Sequence, residues 1–248
     1  MNWELEGQAV LITGAGRGLG RAAAELLASC GADVAVCDLD PASAADTARA
    51  IGGRAKDYLF DAADRAAFLA AAADFAKAHG RIDAVVNNAM LLRYEPIEAV
   101  SDDVLNTMLG VGIKGAVWGA QALLAHMDAE RGGAIVNMAS PVAEKGFPNT
   151  SIYSLVKGAL VTLTKTLAAE LGPRKVRVNA VAPGSVPTPG ALGLNSEAEY
   201  ARRTRTIPLR RLGAAEDSAQ AVAFLLSPAA SFINGEILHV DGGIAAAG

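Results

Sequence analysis

The sequence is poor in the residues that build cross-links and metal centres. Cys30 and Cys37 are its 2 cysteines, and they flank a Gly-Ala-Asp turn within one helix–strand boundary. That excludes a disulfide framework and a cysteine-based zinc site, and it makes a reducing cytoplasm the simplest compartment. The 3 histidines, His79, His126 and His239, are scattered without ligand spacing, so each reads as structural and no metal is expected. Aromatic residues supply only 5% of a chain that is 52% hydrophobic, which leaves Ala, Val, Leu and Ile to fill a sizeable core. Charged residues are also few, at 19%, and the net charge is −4. No basic cluster is dense enough to track a nucleic-acid backbone. The nearest one, Arg202, Arg203, Arg205, Arg210 and Arg211, lies in a loop-rich region and is expected to form ion pairs. No uninterrupted apolar run reaches the length of a membrane span, and Met1-Asn2-Trp3-Glu4-Leu5-Glu6 lacks the apolar stretch of a signal peptide. Without repeats, low-complexity tracts or a dividing linker, the 248 residues are expected to form one domain.

What the chain does contain is alternation. Gln8 to Thr13 is a short apolar run that ends in a glycine-rich turn, and an Ala-rich helix starts near Gly20. Further strands are predicted at Ala32–Asp38, Arg54–Phe60, Ile82–Asn87, Ala134–Ser140, Val176–Val181 and Glu236–Val240. Helices are predicted at about 42–51, 64–79, 102–127, from Tyr153 to about Leu171, and at 216–226. The stretch after Val181 is irregular and rich in Pro and Gly. Strands that alternate with helices throughout imply an α/β fold: a single doubly wound parallel sheet of about seven strands flanked by helices, the Rossmann arrangement.

The first turn, Thr13-Gly14-Ala15-Gly16-Arg17-Gly18-Leu19-Gly20, sits between a strand and a helix. Glycines allow tight turning and let the backbone approach a pyrophosphate, whose charge is favoured at a helix N-terminus. The second strand closes on Asp38, about 20 positions after the loop. A carboxylate there accepts hydrogen bonds from ribose hydroxyls and repels a 2′-phosphate, which favours NAD over NADP. Asp40-Pro41 suits the start of the next helix, and Asp38 falls too early for that capping role. Arg17 speaks the other way, because a cation in the loop can meet a 2′-phosphate. Asp61 is placed either to accept from an adenine amino group or to cap a helix.

Further on, Ser151-Ile152-Tyr153-Ser154-Leu155-Val156-Lys157-Gly158 puts Tyr153 and Lys157 one helical turn apart on the same face. A phenol has a pKa near 10, too high for ready proton exchange at neutrality. An adjacent ammonium favours the phenolate, and lowering the pKa by roughly 3 units takes about 4 kcal/mol. A partly desolvated lysine together with a bound pyridinium is expected to supply that. Ser140, one strand-to-helix connection earlier, is expected to hydrogen-bond the substrate oxygen.

These motifs in this order resemble those of the short-chain dehydrogenase/reductase family, in its compact single-domain branch. The matching positions are Thr13-Gly14-x-x-x-Gly18-x-Gly20, Asp61, Asn87-Asn88-Ala89, Ser140, Tyr153-x-x-x-Lys157, Pro183-Gly184 with Thr188, and Val240-Asp241-Gly242-Gly243. The resemblance implies that Ser140, Tyr153 and Lys157 are catalytic, with Tyr153 as acid/base. Gly14, Arg17, Gly18 and Leu19 are then expected around the pyrophosphate and adjoining ribose, and Asp38 at the adenosine ribose. Asp61 and Ala62 meet the adenine, Asn88 lies beside the cofactor, and Tyr153 and Lys157 border the nicotinamide ribose. Beyond Pro183 and Gly184, the Val186 backbone and the Thr188 hydroxyl hold the carboxamide. The family's usual tetramer, built through the long helix and the tyrosine helix, implies a homotetramer.

The departures from the family pattern carry expectations of their own. The usual Asn-Asn-Ala-Gly reads Asn87-Asn88-Ala89-Met90, and Met90 is expected to point into the substrate cleft. The family's fourth catalytic residue, an asparagine in the long helix that supports a water next to the lysine, is replaced by Gly112. Asn106 lies too far along the helix to stand in for it. Either another water fills the vacated volume and keeps the relay, or the relay is impaired; Gly112→Asn is expected to leave binding unchanged and to hold or raise the rate. The helix also carries Gly110, Gly115 and Gly119, which implies that something approaches it closely. Pro187 is inserted among the nicotinamide contacts, and no consequence of it follows from the sequence. Met90, Leu91, Leu92, Tyr94, Val142, Phe147, Leu192 and Leu194 form a mostly apolar candidate substrate lining. The leading expectation is therefore an NAD-dependent oxidoreductase that interconverts an apolar secondary alcohol and a ketone. The alternatives are an NADPH-dependent 3-oxoacyl thioester reductase and, of another class, a cofactor-binding but non-catalytic regulatory protein.

Overall fold

The computed structural model describes residues 3–191 and 196–247. Seven strands form one parallel sheet in the order β3-β2-β1-β4-β5-β6-β7. They are β1 (Ala9–Thr13), β2 (Asp33–Asp38), β3 (Ala55–Leu59), β4 (Ala84–Asn87), β5 (Gly133–Met138), β6 (Val176–Pro183) and β7 (Ile237–Val240). Both faces of the central strands are covered, and this is why β1 and β4 read as continuous apolar runs. Side chains still alternate between two cores. Val10, Ile12, Val34 and Val36 enter the one shared with α1 (Gly18–Ser29) and α8 (Ala215–Leu226). Ala9, Leu11, Ala35 and Cys37 enter the other, shared with α3 (Arg65–His79), α5 (Gly115–His126) and α6 (Ser151–Leu171). Strand order reverses between β1 and β4, so their C-terminal ends open the crevice in which such sheets take ligands.

Two features depart from the expected elements. The irregular stretch after β6 contains α7 (Glu197–Thr206), capped by Ser196 and free of any fully buried residue. Ion pairs from Glu199 to Arg202 (2.7 Å) and Arg203 (2.8 Å) lie along it, and Arg211 pairs with Asp217 (2.6 Å), so three of the five basic residues form the expected ion pairs. The long helix is not uniform either: α4 (Asp102–Leu109) passes through a π turn, Gly110–Lys114, into α5. The Gly115 amide there reaches back to the Gly110 carbonyl. By length and composition Asp102–His126 could cross a membrane, yet 50% of its most apolar window is buried inside the fold.

The glycines of this helix are explained within the chain. A Cβ at Gly110 would stand 3.2 Å from Ala63 Cβ, one at Gly115 3.2 Å from the Ala62 carbonyl oxygen, and one at Gly119 would collide with the Asn87 carboxamide. The close approach is therefore by neighbouring segments of the same molecule, and the glycines lend no support to an inter-subunit contact.

Candidate active site

The glycine loop lies against the segment that follows β4. Gly14 and Gly18 adopt φ of +64° and +58°, which side chains seldom tolerate. A Cβ at Gly14 would sit 2.9 Å from both Ala89 Cα and Asn88 Nδ2. Asn88 braces the loop by donating to the carbonyls of Thr13 (2.9 Å) and Gly14 (3.0 Å). Thr13 Oγ1 in turn accepts from the Asn88 and Ala89 amides, each at 3.1 Å. Helix α1 starts beyond Arg17 with no side-chain cap and no acidic residue in its first turn, so its positive end is uncompensated by the chain. Leu19 packs inward on the core, while Arg17 is exposed.

Asp38 lies at the loop. Its Oδ2 accepts from the Gly16 amide (2.8 Å) and its Oδ1 from the Asp40 amide (3.1 Å). Asp40 takes the capping role for α2 (Pro41–Ile51), accepting from the Ala42 amide at 3.0 Å. Asp61 caps no helix and, among the described residues, has no partner from another element: its Oδ1 accepts from the Ala63 amide (2.9 Å), and Asp64 caps α3. Ala62 beside it is buried. On the opposite wall Thr188 comes within 3.2 Å of where a Gly18 Cβ would be. The Thr188 amide bonds the Val186 carbonyl at 2.9 Å, and Gly184 packs on Asp241 beyond Pro183, the end of β6. A bare, amide-rich helix start, crowded glycines and a carboxylate at one end fit an extended anionic dinucleotide. Most of the expected cofactor positions thus border one crevice.

At the end of β5, Ser140 is buried and its Oγ accepts from the Val142 amide at 3.4 Å. Helix α6 carries Tyr153 and Lys157. Lys157 is only 4% exposed, and its Nζ donates to the Met138 carbonyl at 2.5 Å and stands 5.5 Å from the Tyr153 ring centroid. Burial pulls the Lys157 ammonium down from 10.5 to about 8. The Tyr153 phenol moves opposite to the expected direction. Burial, and then Tyr94, push it above its ordinary range, against a lowering hydrogen bond from Ser140. Desolvation and Tyr94 thus outweigh the Ser140 hydrogen bond at the Tyr153 phenol.

Tyr94 meets Tyr153 edge-on, with centroids 5.5 Å apart. Leu92 and Val142 are half-buried, while Leu91 and Phe147 are 38% and 41% exposed. Leu192 and Leu194 lie outside the described residues. Met90 does not leave its sulfur free for the cleft: Sδ lies 3.0 Å from the point that a Gly112 Cβ would occupy. Val156 Cγ1 closes on the same point so tightly that any side chain at 112 would collide with it. The volume expected to hold water is therefore filled, and Gly112→Asn is now expected to strain the packing rather than hold or raise the rate. Nothing in the spacing of Tyr153 and Lys157 signalled a role for Val156. Likewise, nothing signalled that Arg203 of α7 would donate to Ser185 Oγ at 3.3 Å, just beyond β6.

A family model described as Enoyl-(Acyl carrier protein) reductase matches residues 14–245. The 3-oxoacyl-(acyl-carrier-protein) reductase of Thermotoga maritima is 35% identical over 243 residues, covering 97% of this chain and 98% of that protein. The chain belongs to the short-chain dehydrogenase/reductase family. It is accordingly an oxidoreductase whose relatives act on CH–OH and keto groups. Solved members superpose closely. A gluconate 5-dehydrogenase from Burkholderia cenocepacia, in complex with NADP and tartrate, gives a TM-score of 0.93 at 34% identity, with 100% and 98% of the two chains covered. A 3-ketoacyl-(acyl-carrier-protein) reductase from Brucella melitensis, complexed with NADH, gives 0.90 at 35% identity, with 97% and 99% covered. The family thus binds NAD(P), and both forms occur among this chain's neighbours.

Proposed function

We propose that the enzyme oxidises an apolar secondary alcohol to a ketone with NAD. The observation that supports this reading is the grouping of Ser140, Tyr153 and the buried Lys157 beyond β5, at the end of the sheet that also carries the glycine loop. A dinucleotide held by the glycine loop and Asp38 would supply the hydride acceptor. The chain's part is positioning and proton handling. Ser140 Oγ donates to the substrate oxygen, and Tyr153 Oη takes the hydroxyl proton. Lys157, already desolvated, would hold the nicotinamide ribose and counterbalance the phenolate. Burial raises the Tyr153 phenol and the Ser140 hydrogen bond opposes that shift, so Ser140 serves the acid/base as well as the substrate.

Asp38 supports NAD over NADP, because a carboxylate held against the loop by the Gly16 and Asp40 amides disfavours an added phosphate. The half-buried Leu92 and Val142, together with the exposed Phe147, support an apolar substrate. A panel of secondary alcohols, screened with NAD and NADP for the absorbance of reduced nicotinamide, tests both statements. Turnover confined to NADP would remove the cofactor assignment. A second reading, NADPH-dependent reduction of a 3-oxoacyl thioester, is favoured by relatives with that name and by the exposed Arg17. Assaying such a thioester with NADPH in the same panel separates it from the first. The non-catalytic reading is disfavoured by the retention of all three catalytic residues. A homotetramer in a reducing cytoplasm, where Cys30 and Cys37 stay free thiols, completes the proposal.

A further inference from the structure

A chain of buried side-chain hydrogen bonds runs from strand β4 through β5 to helix α6. Asn87 Nδ2 donates to Asn137 Oδ1 (2.8 Å), Asn137 Nδ2 to Thr164 Oγ1 (2.9 Å), and Thr164 Oγ1 to the Leu160 carbonyl (2.7 Å). Asn137 and Thr164 are 0% exposed. The direction of donation is set from the α6 end. A carbonyl only accepts, so the Thr164 hydroxyl gives its one proton there, and both amides must point the same way along the chain. Thr164 follows Lys157 by two helical turns, about 10.5 Å along the same buried stripe of α6. Asn137 directly precedes Met138, whose carbonyl accepts from Lys157 Nζ at 2.5 Å. Two polar ties therefore join the same strand to the same face of the same helix. Between them they fix how far α6 slides and how it turns on β5. The Tyr153 ring, 5.5 Å from Lys157 Nζ, is carried by that helix as well. We propose that Asn137 and Thr164 are positioning residues, which act through the seating of α6 to hold Lys157 on the Met138 carbonyl and Tyr153 in place beside it. The proposal rests on the reading that Tyr153 and Lys157 are the catalytic pair.

The test follows the Lys157 side chain by NMR titration of protein carrying isotope-labelled lysine, with Lys157→Met assigning its signal. Melting temperatures are measured alongside. Thr164→Val keeps the shape of the side chain but removes the hydroxyl, leaving Asn137 Nδ2 buried without its acceptor. Asn137→Leu/Thr164→Val replaces both partners by apolar groups, a change that costs little stability in itself. Thr164→Ser keeps the hydroxyl. Burial holds the Lys157 ammonium at about 8. With the tie cut, water reaches it, and its midpoint rises by about half a unit or more in both valine variants. Thr164→Ser stays at the wild-type midpoint. In the alcohol screen kcat falls about 10–100-fold in the valine variants, while KM changes little. A wild-type midpoint and kcat in the double variant overturn the proposal alone. So does a lower melting temperature in Thr164→Val with an unmoved Lys157 signal, which makes the chain merely structural. Wild-type turnover in Lys157→Met removes the catalytic reading and this proposal with it. The double variant leaves no stranded amide at position 137, so the outcome stays readable even where Thr164→Val does not fold.

Discussion

Tyr94 stands edge-on to Tyr153, with ring centroids 5.5 Å apart and planes inclined at 69°. The contact helps to enclose a phenol whose upward shift comes mainly from burial. Tyr94→Ala is expected to wet the phenol and lower its pKa. Oxidation requires the phenolate, so the acidic limb of the kcat/KM profile should then move to lower pH. The lost aromatic pair should also cost about 1 kcal/mol of stability. Tyr94→Phe keeps the ring and should leave both quantities near wild type. A pH profile of the two variants checks this, and a shift as large in Tyr94→Phe would point to the hydroxyl rather than the wall.

Removing the Tyr153 hydroxyl tests the acid/base assignment directly. Tyr153→Phe is expected to lower kcat by about 10²–10⁴, the usual span for a positioned proton carrier. NAD binding, followed by calorimetry, should survive, because the loop, Asp38 and the α1 N-terminus are untouched. Wild-type turnover in this variant would sink the proposed mechanism.

Much of this was legible in the sequence, for identifiable reasons. Strands buried on both faces are unbroken apolar runs, and Gly14 and Gly18 mark the turn because their backbone angles exclude side chains. Helix α7 was invisible because it has no buried stripe; its order comes from Glu199 holding Arg202 and Arg203. The π turn leaves helical periodicity nearly intact, so Gly110–Lys114 read as ordinary helix. At Gly112 the sequence suggested an empty volume, but the occupants, Met90 and Val156, come from distant segments that no local pattern links. Gly112→Asn should therefore cost about 1–3 kcal/mol by overpacking, seen as a fall in Tm. The direction of the Tyr153 shift was missed for a related reason. Spacing reveals the neighbouring lysine but not the depth of burial.

Burial holds the Lys157 ammonium at an energetic disadvantage that its proposed catalytic role would justify. Its amine keeps a proton up to 10.5 when unfolded but only to about 8 in the fold, a cost of roughly 3 kcal/mol at neutrality. Between those values unfolding takes up a proton, so wild-type stability should rise from about pH 8 to 10.5. Lys157→Met should be flat across that window. Near neutrality it should be more stable by about 1–2 kcal/mol, after allowing for the lost bond to the Met138 carbonyl. Turnover should be lost with it. Thermal melts at several pH values decide the matter, and a variant less stable than wild type near neutrality would contradict the buried-charge account.

In the proposed NAD reading Asp38 is the discriminating residue, and its geometry suggests how to reverse the choice. Each carboxylate oxygen accepts from a backbone amide, Gly16 at 2.8 Å and Asp40 at 3.1 Å, so the side chain is fixed against the glycine loop, where the proposal puts the adenosine ribose. Like charges brought together cost several kcal/mol at low salt, less where water screens them. Asp38→Asn keeps one acceptor for the loop and removes the charge. The ratio of NADPH to NADH dissociation constants should then fall by about 10–100-fold, or roughly 1.4–2.8 kcal/mol. The exposed Arg17 at the start of α1 becomes the available cation for that phosphate. Adding Arg17→Ala to Asp38→Asn should therefore erase most of the gain, while NADH binding changes little. Fluorescence titration of both reduced cofactors against the three proteins measures this. Equal affinity of the wild-type chain for NADH and NADPH would remove Asp38 as the discriminating residue.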